Sequence, residues 1–133
     1  MSTKIFLTFS LIYFITLFIL GKTTQYKYDI KKTNIKDVSV FIYHSIKEEC
    51  DDTPNITAFN YHIDTLNPYK HRFCAVSRDL KYLKDKYIFI SNIGKYSGYY
   101  IVADLKNKRY INSIDILVNK DVKYGKWQTK IYY

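Results

Sequence analysis

The sequence predicts a small all-β domain, a barrel or a sandwich, and three features of its 133 residues carry that prediction. Short runs rich in β-branched and aromatic residues recur at close spacing, helical periodicity is almost absent, and turn-forming residues separate the runs. The chain has no internal repeat, no glycine-rich phosphate loop and no G-x-S-x-G, which argues against repeat arrays, P-loop proteins and α/β-hydrolases.

The chain starts with a short polar segment, Met1 to Lys4, followed by an uncharged run over 5–21 in which Leu, Ile and Phe dominate. A basic start, an apolar segment and a polar continuation are the layout of an export signal. The run is at the lower edge of the roughly 17–25 residues that span a bilayer. No small-x-small cleavage site follows, and no cysteine near residue 21 is placed to accept a lipid. A cleaved signal peptide and an uncleaved membrane anchor both fit, and a buried helix of the domain is the third reading. Residues 22–37 are polar and lysine-rich and read as a linker. The domain itself is expected over 38–133.

Within it, Val38 to Ser45 (VSVFIYHS) is the first convincing strand. Glu48 to Pro54 is acidic and turn-rich, and Ile56 to Tyr61 is expected as a second strand. Leu66 to Arg72 reads as a loop turned by Asn67-Pro68. Leu80 to Asp85 fits either one helical turn or a loop. Tyr87 to Ser91 and Tyr99 to Asp104 are strands joined by a connection whose two glycines, Gly94 and Gly98, suit a tight path. Lys106 to Asn112 is a polar loop. Ile114 to Val118 and Trp127 to Tyr132 are the last two strands.

Charge and cysteines narrow the setting. The formal charge is +9, and removing residues 1–21 takes away Lys4 and no acid, leaving +8. Lysines and arginines are scattered in separate clusters, as at Lys106-Lys108-Arg109 and Lys120-Lys123-Lys126. Nucleic acid is the usual partner of such a balance. An exported chain instead meets the anionic polymers and lipids of a cell envelope, so no nucleic-acid partner is expected; a basic surface that only maintains solubility is the alternative. The two cysteines, Cys50 and Cys74, favour a disulfide in an oxidising compartment, closing a loop of about 25 residues with a contribution of about 3 kcal/mol. Two reduced buried cysteines are the alternative. No metal site is expected, since the cysteines are not C-x-x-C and His44, His62 and His71 do not pair at ligand spacing. No cofactor motif occurs.

Three aspartates stand out: Asp79, Asp104 at the end of Tyr99-Tyr100-Ile101-Val102-Ala103-Asp104, and Asp115 inside Ile114-Asp115-Ile116-Leu117-Val118. A carboxylate in an apolar strand is costly to desolvate unless it is paired, hydrogen-bonded or protonated. Either a structural carboxylate network or an acid site would retain them. The 15 tyrosines and 8 phenylalanines are expected mainly in the core. Tyr96, Tyr99 and Tyr110 are candidates to stack on sugar rings beside the acids.

The order Thr57-Ala58, Cys74-Ala75-Val76-Ser77-Arg78-Asp79, Gly94-x3-Gly98-x-Tyr100-x-Val102-x-Asp104 and Ile114-Asp115-Ile116 resembles the three-aspartate (3D) domain. That domain belongs to the double-psi β-barrel group, with the rare-lipoprotein-A-like proteins, the barrel of lytic transglycosylase A and the expansins. The chain is most similar in kind to small exported 3D-domain proteins of Bacteroidetes-type bacteria and their phages, over roughly 38–130. The resemblance implies a six-stranded double-psi β-barrel preceded by an N-terminal hydrophobic helix. It implies that Asp115 is the acid that protonates a glycosidic oxygen of peptidoglycan and then, as carboxylate, draws a proton from the sugar hydroxyl. Asp104 would position and tune it, Thr57 would hydrogen-bond near it, and Asp79 would tie the Ser77-Arg78 loop into the barrel. The sequence departs from the pattern at Leu105-Lys106-Asn107, where the family has Asp-Thr or Asp-Thr-Gly. It departs again at Phe59-Asn60-Tyr61, where a glycine is usual. Two functions follow as expectations: a lytic-transglycosylase-like enzyme of the envelope, or a non-catalytic barrel that binds glycan or protein there.

Overall fold

A computed structural model describes residues 33–46 and 53–133. The expected N-terminal hydrophobic segment, residues 22–32 of the expected linker and Cys50 lie outside the described residues, and the last three linker residues, 35–37, belong to the first strand. Residues 34–133 form one compact unit, mainly β, with six strands closed into a barrel. The strands are β1 (Ile35–His44), β2 (Phe73–Val76), β3 (Tyr87–Ile90), β4 (Gly98–Leu105), β5 (Ser113–Val118) and β6 (Lys126–Tyr132). Among the described residues, no helix is long and apolar enough to cross a membrane.

Period-2 alternation explains β1, β3, β5 and β6. Val38, Val40 and Ile42 of β1, Ile88 and Ile90 of β3, Ile114, Ile116 and Val118 of β5 and Ile131 of β6 all reach the interior and are buried. Each such side chain contributes about 1.5–3 kcal/mol on leaving water. Leu80 and Leu83, on the 3-10 turn Arg78–Leu83, and Ile93 complete this core. The segment 80–85 that fitted either a helical turn or a loop is thus mostly 3-10.

One predicted strand is misplaced. Ile56 to Tyr61 makes only an isolated bridge between Ile56 and His62, and the second strand is instead Phe73–Val76. That run is short and buried on both faces, so it lacks the alternation by which strands are recognised. Cys74 and Val76 face the core. Phe73 joins Ile63, Ala103 and Leu117 in a second cluster outside the barrel, flanked by Tyr43, Tyr61 and Ile101. The chain between β1 and β2 therefore covers one outer face of the sheet.

The ring order is β1-β5-β2-β4-β3-β6. Strands β1 and β5 run parallel, as do β2 and β4, and the other four pairings are antiparallel. Exchanging β1, β2, β3 with β4, β5, β6 reproduces both the ring and the sense of every pairing. The barrel thus has the connectivity of two interlocked three-stranded halves. Closure leaves no sheet edge open.

Between β2 and β4 the register shifts: Cys74 pairs with Val102, but Ala75 pairs with Asp104. Ala103 is the extra residue of a β-bulge. Tyr100 and Val102 point inward, and plain alternation would send Asp104 after them. The bulge turns Asp104 out of the core.

The turn into β4 is held by Arg72, whose own φ is 53°. Its guanidinium carbon lies 4.0 Å from the centre of the Tyr100 ring. Its Nε donates to the Tyr99 carbonyl at 3.2 Å and its Nη2 to the Ser97 carbonyl at 3.4 Å. Gly98 lies against it with φ +136°, and a Cβ there would meet Arg72 Nη2 at 2.8 Å. Gly94, at φ +62°, has open space where a Cβ would go.

The disulfide expected between Cys50 and Cys74 has only its second cysteine among the described residues. Cys74 is a free thiol, fully buried, with its sulfur among the interior side chains and 3.6 Å from the Ile101 carbonyl. Burial pushes the thiol pKa far up, and the charges of Asp115 and Asp104 add to the effect. It stays protonated and unreactive.

Two outcomes are expected. Gly98→Ala should lower stability in urea unfolding by about 1–3 kcal/mol, and Gly94→Ala by only about 1 kcal/mol, because only Gly98 combines backbone strain with a blocked Cβ. Cys74 should resist alkylation in the native protein at pH 8 and react fully in denaturant; equal labelling in both states would contradict the buried placement.

Candidate functional site

The two carboxylates are brought together by register. Phe41 of β1 pairs with Asp115 of β5, Asp115 pairs with Ala75 of β2, and Ala75 pairs with Asp104 of β4. Phe41, Asp115, Ala75 and Asp104 thus form one lateral row across four strands, on the outer face. Ala75 is the small member, and its methyl leaves a gap between the two acids. A groove of about 850 Å³ opens over the row. One wall comes from the chain between β1 and β2, with Pro54, Ile56 and Ala58. The other comes from Lys106 to Tyr110 after β4, and Arg78 and Tyr124 also line the groove.

Asp104 is held by fixed donors. Its Oδ1 accepts the N–H groups of Ala58 and Leu105, both at 2.8 Å, and the Tyr43 hydroxyl lies 3.5 Å from Oδ2. Thr57 shapes the loop that delivers the Ala58 N–H. Its Oγ1 accepts the N–H groups of Phe59 and Tyr61 at 3.3 and 3.1 Å, and Asn60 takes the left-handed conformation at φ 65° that closes the turn. Asn and not Gly is sufficient there, since Asn tolerates that region. Thr57 is buried and acts on Asp104 through its neighbour.

Asp115 is held by a cation. Lys106 Nζ donates to its Oδ1, and the lysine side chain is only 2% exposed against 22% for Asp115. The ammonium lies 4.4 Å from the centre of the Phe41 ring and 4.5 Å from that of Tyr110. The Lys106 backbone is pinned by its N–H bond to the Val76 carbonyl at 2.9 Å. A buried lysine between two aromatic faces, opposite a carboxylate, has both cation–π and charge-assisted hydrogen bonding to offset its desolvation. Arg109 donates to the Tyr110 hydroxyl at 3.0 Å and so braces that ring.

The remaining expected site residues are dispersed. Asp79 accepts the Asn112 N–H at 3.1 and 3.3 Å, joining the 3-10 turn to the strand entrance of β5. Arg78, expected in a structural role with it, is exposed and lines the groove. Tyr110 lines the groove too. Tyr96 and Tyr99 do not: Tyr96 makes edge contacts with Tyr69 and Trp127, and Tyr99 packs on Phe89 on the outer face of β3 and β4. Tyr96 ends the 3-10 turn Gly94–Tyr96, and Tyr99 sits at the start of β4, at the other end of the strand from Asp104. Among the described residues no group of three or more His, Cys, Asp or Glu is placed to hold a metal.

Lys106, Phe41 and Ala75 were not singled out from sequence. Phe41 was accessible in principle, since it alternates out of phase with Val38, Val40 and Ile42. Lys106 opens a polar loop in the sequence, and nothing local marks it as buried.

Comparison with known proteins finds no matching family model, no matching curated protein and no matching solved structure.

The ion pair makes a stability prediction. Asp115→Asn strands a buried ammonium and should cost about 3 kcal/mol in chemical denaturation, whereas adding Lys106→Met should recover most of that loss. Equal losses in the single and double variants would show that the stranded charge is not the cause.

Proposed function

We propose that the barrel is of the double-psi kind and that its groove binds glycan of the cell envelope, as part of an exported protein. The exchangeable halves and the two parallel pairings, β1 with β5 and β2 with β4, support the first part. The second part is carried by one observation: both carboxylates of the row are already engaged by fixed protein donors. Lys106 donates to Asp115, and the backbone N–H groups of Ala58 and Leu105 donate to Asp104. A general acid must carry a proton that it can release to the leaving oxygen. In this groove the donor on Asp115 is an ammonium.

Oriented acceptors beside aromatic rings are instead suited to recognition. Carboxylate oxygens take sugar hydroxyls, and Phe41, Tyr110 and Tyr124 offer apolar ring surface at one end of the groove. The guanidinium of Arg78 adds a cation for an anionic substituent.

A second reading, cleavage in the manner of a lytic transglycosylase, is favoured by the exposure of Asp115 on the same groove as Asp104. There Asp115 would be the acid and base in turn, with Asp104 as its positioning partner.

Sedimentation with insoluble peptidoglycan, followed by mass analysis of the soluble fraction, separates the two. Glycan binding predicts that the native protein sediments without releasing anhydro-sugar products. Tyr110→Ala should then weaken sedimentation about five- to tenfold, equivalent to roughly 1–1.4 kcal/mol. Anhydro-sugars from the native protein and none from Asp115→Asn would establish cleavage. A native protein that stays in solution with no products would overturn both readings for this polymer.

A further inference from the structure

The side of the barrel away from the groove carries a second row across four strands, and its chemistry is different. Ile35 of β1 pairs with Tyr132 of β6, Tyr132 with Phe89 of β3, and Phe89 with Tyr99 of β4. All four side chains lie on the outward phase of their strands. Ile35 is 57% exposed and Tyr99 65%, and Tyr87, on the same face of β3, is 67% exposed. The Phe89 ring is 5.1 Å from Tyr99 and 6.1 Å from Tyr132, so the rings form one continuous cluster. A contiguous exposed apolar stripe of this kind marks a docking surface.

We propose that this stripe rests on a lipid bilayer containing anionic headgroups. Three observations select that occupant. The rings are mostly tyrosines, whose hydroxyls fit the wet interfacial zone of a bilayer better than the dry centre of a protein interface. Exposed Lys86 immediately precedes Tyr87 in the chain, and exposed Lys130, two residues before Tyr132 on β6, shares its charge with Asp37 at 2.7 Å. The chain carries +9 overall, and basic residues near an anionic surface each favour contact. Finally, β1 begins at Ile35, the first member of the stripe, and the uncharged run 5–21 lies upstream of it. Residues 22–34 span at most about 45 Å when extended. The proposal rests on the anchor reading of that run and is independent of what the groove binds.

The test uses the full chain with Cys50→Ser, reconstituted into vesicles of phosphatidylcholine with phosphatidylglycerol. An environment-sensitive fluorophore is attached at Tyr99→Cys on the stripe or at Asn107→Cys on the groove side, with Tyr87→Cys as a second stripe position. Circular dichroism confirms that each variant is folded. Docking predicts blue-shifted emission and quenching by nitroxide-bearing lipids at positions 99 and 87 but not at 107. It also predicts that Lys86→Gln lowers the ratio of docked to undocked protein about fivefold. Failure of the chain to float with the vesicles, absence of quenching at 99 and 87, or equal quenching at all three positions would each overturn the proposal. So would a blue shift at 99 that persists without lipid and grows with protein concentration, which would mark the stripe as a contact between copies of this chain.

Discussion

The bulge at Ala103 is the constraint on which both the core and the site depend. A closed six-stranded barrel of this size has an interior only wide enough for packed side chains, and a carboxylate there would be stranded among Val102, Ile116 and Cys74. Strand alternation alone would put Asp104 in that position. One extra residue in β4 removes it from the core and aligns it with Ala75 and Asp115. The same shift lets Ala103 itself pack under the chain that covers the outer face of β2. The distortion that protects the interior is therefore also what assembles the groove.

Within the groove, the two aspartates are neutralised by different means. Asp104 relies on backbone N–H groups, whose geometry is set by a Thr57-centred turn and by the strand's own next residue. Asp115 relies on a mobile type of side chain, a lysine, made rigid by burial between Phe41 and Tyr110. Backbone donors cannot move away without unfolding a loop, whereas a lysine can respond to a ligand by changing rotamer. Of the two acids, Asp115 is the one held by a side chain and not by the backbone. Phe41 and Tyr110, which flank the ammonium, also line the groove, so charge pairing and ring surface are coupled in one place.

The barrel carries two outward rows with opposite chemistry. The row Phe41, Asp115, Ala75, Asp104 is charged, indented and walled by loops. The row Ile35, Tyr132, Phe89, Tyr99 is uncharged, and no loop among the described residues covers it. The symmetry that exchanges the first three strands with the last three maps each row onto itself, so the two rows lie at the two ends of one axis.

By itself, the sequence determined that the domain is β, where four of the strands run almost to the residue, and that Asp104 and Asp115 needed partners. These follow from local rules: alternation of apolar side chains, glycines at positive φ, and the cost of an unpaired charge in an apolar run. The tertiary structure alone decided that Phe73–Val76 is a strand, that Cys74 is an interior thiol, and that Tyr96 and Tyr99 lie outside the groove. It also decided that Lys106 is buried on Asp115. Each of these depends on which strands are neighbours and on a one-residue register shift. Those pairings link segments far apart in the chain, and no local pattern encodes them.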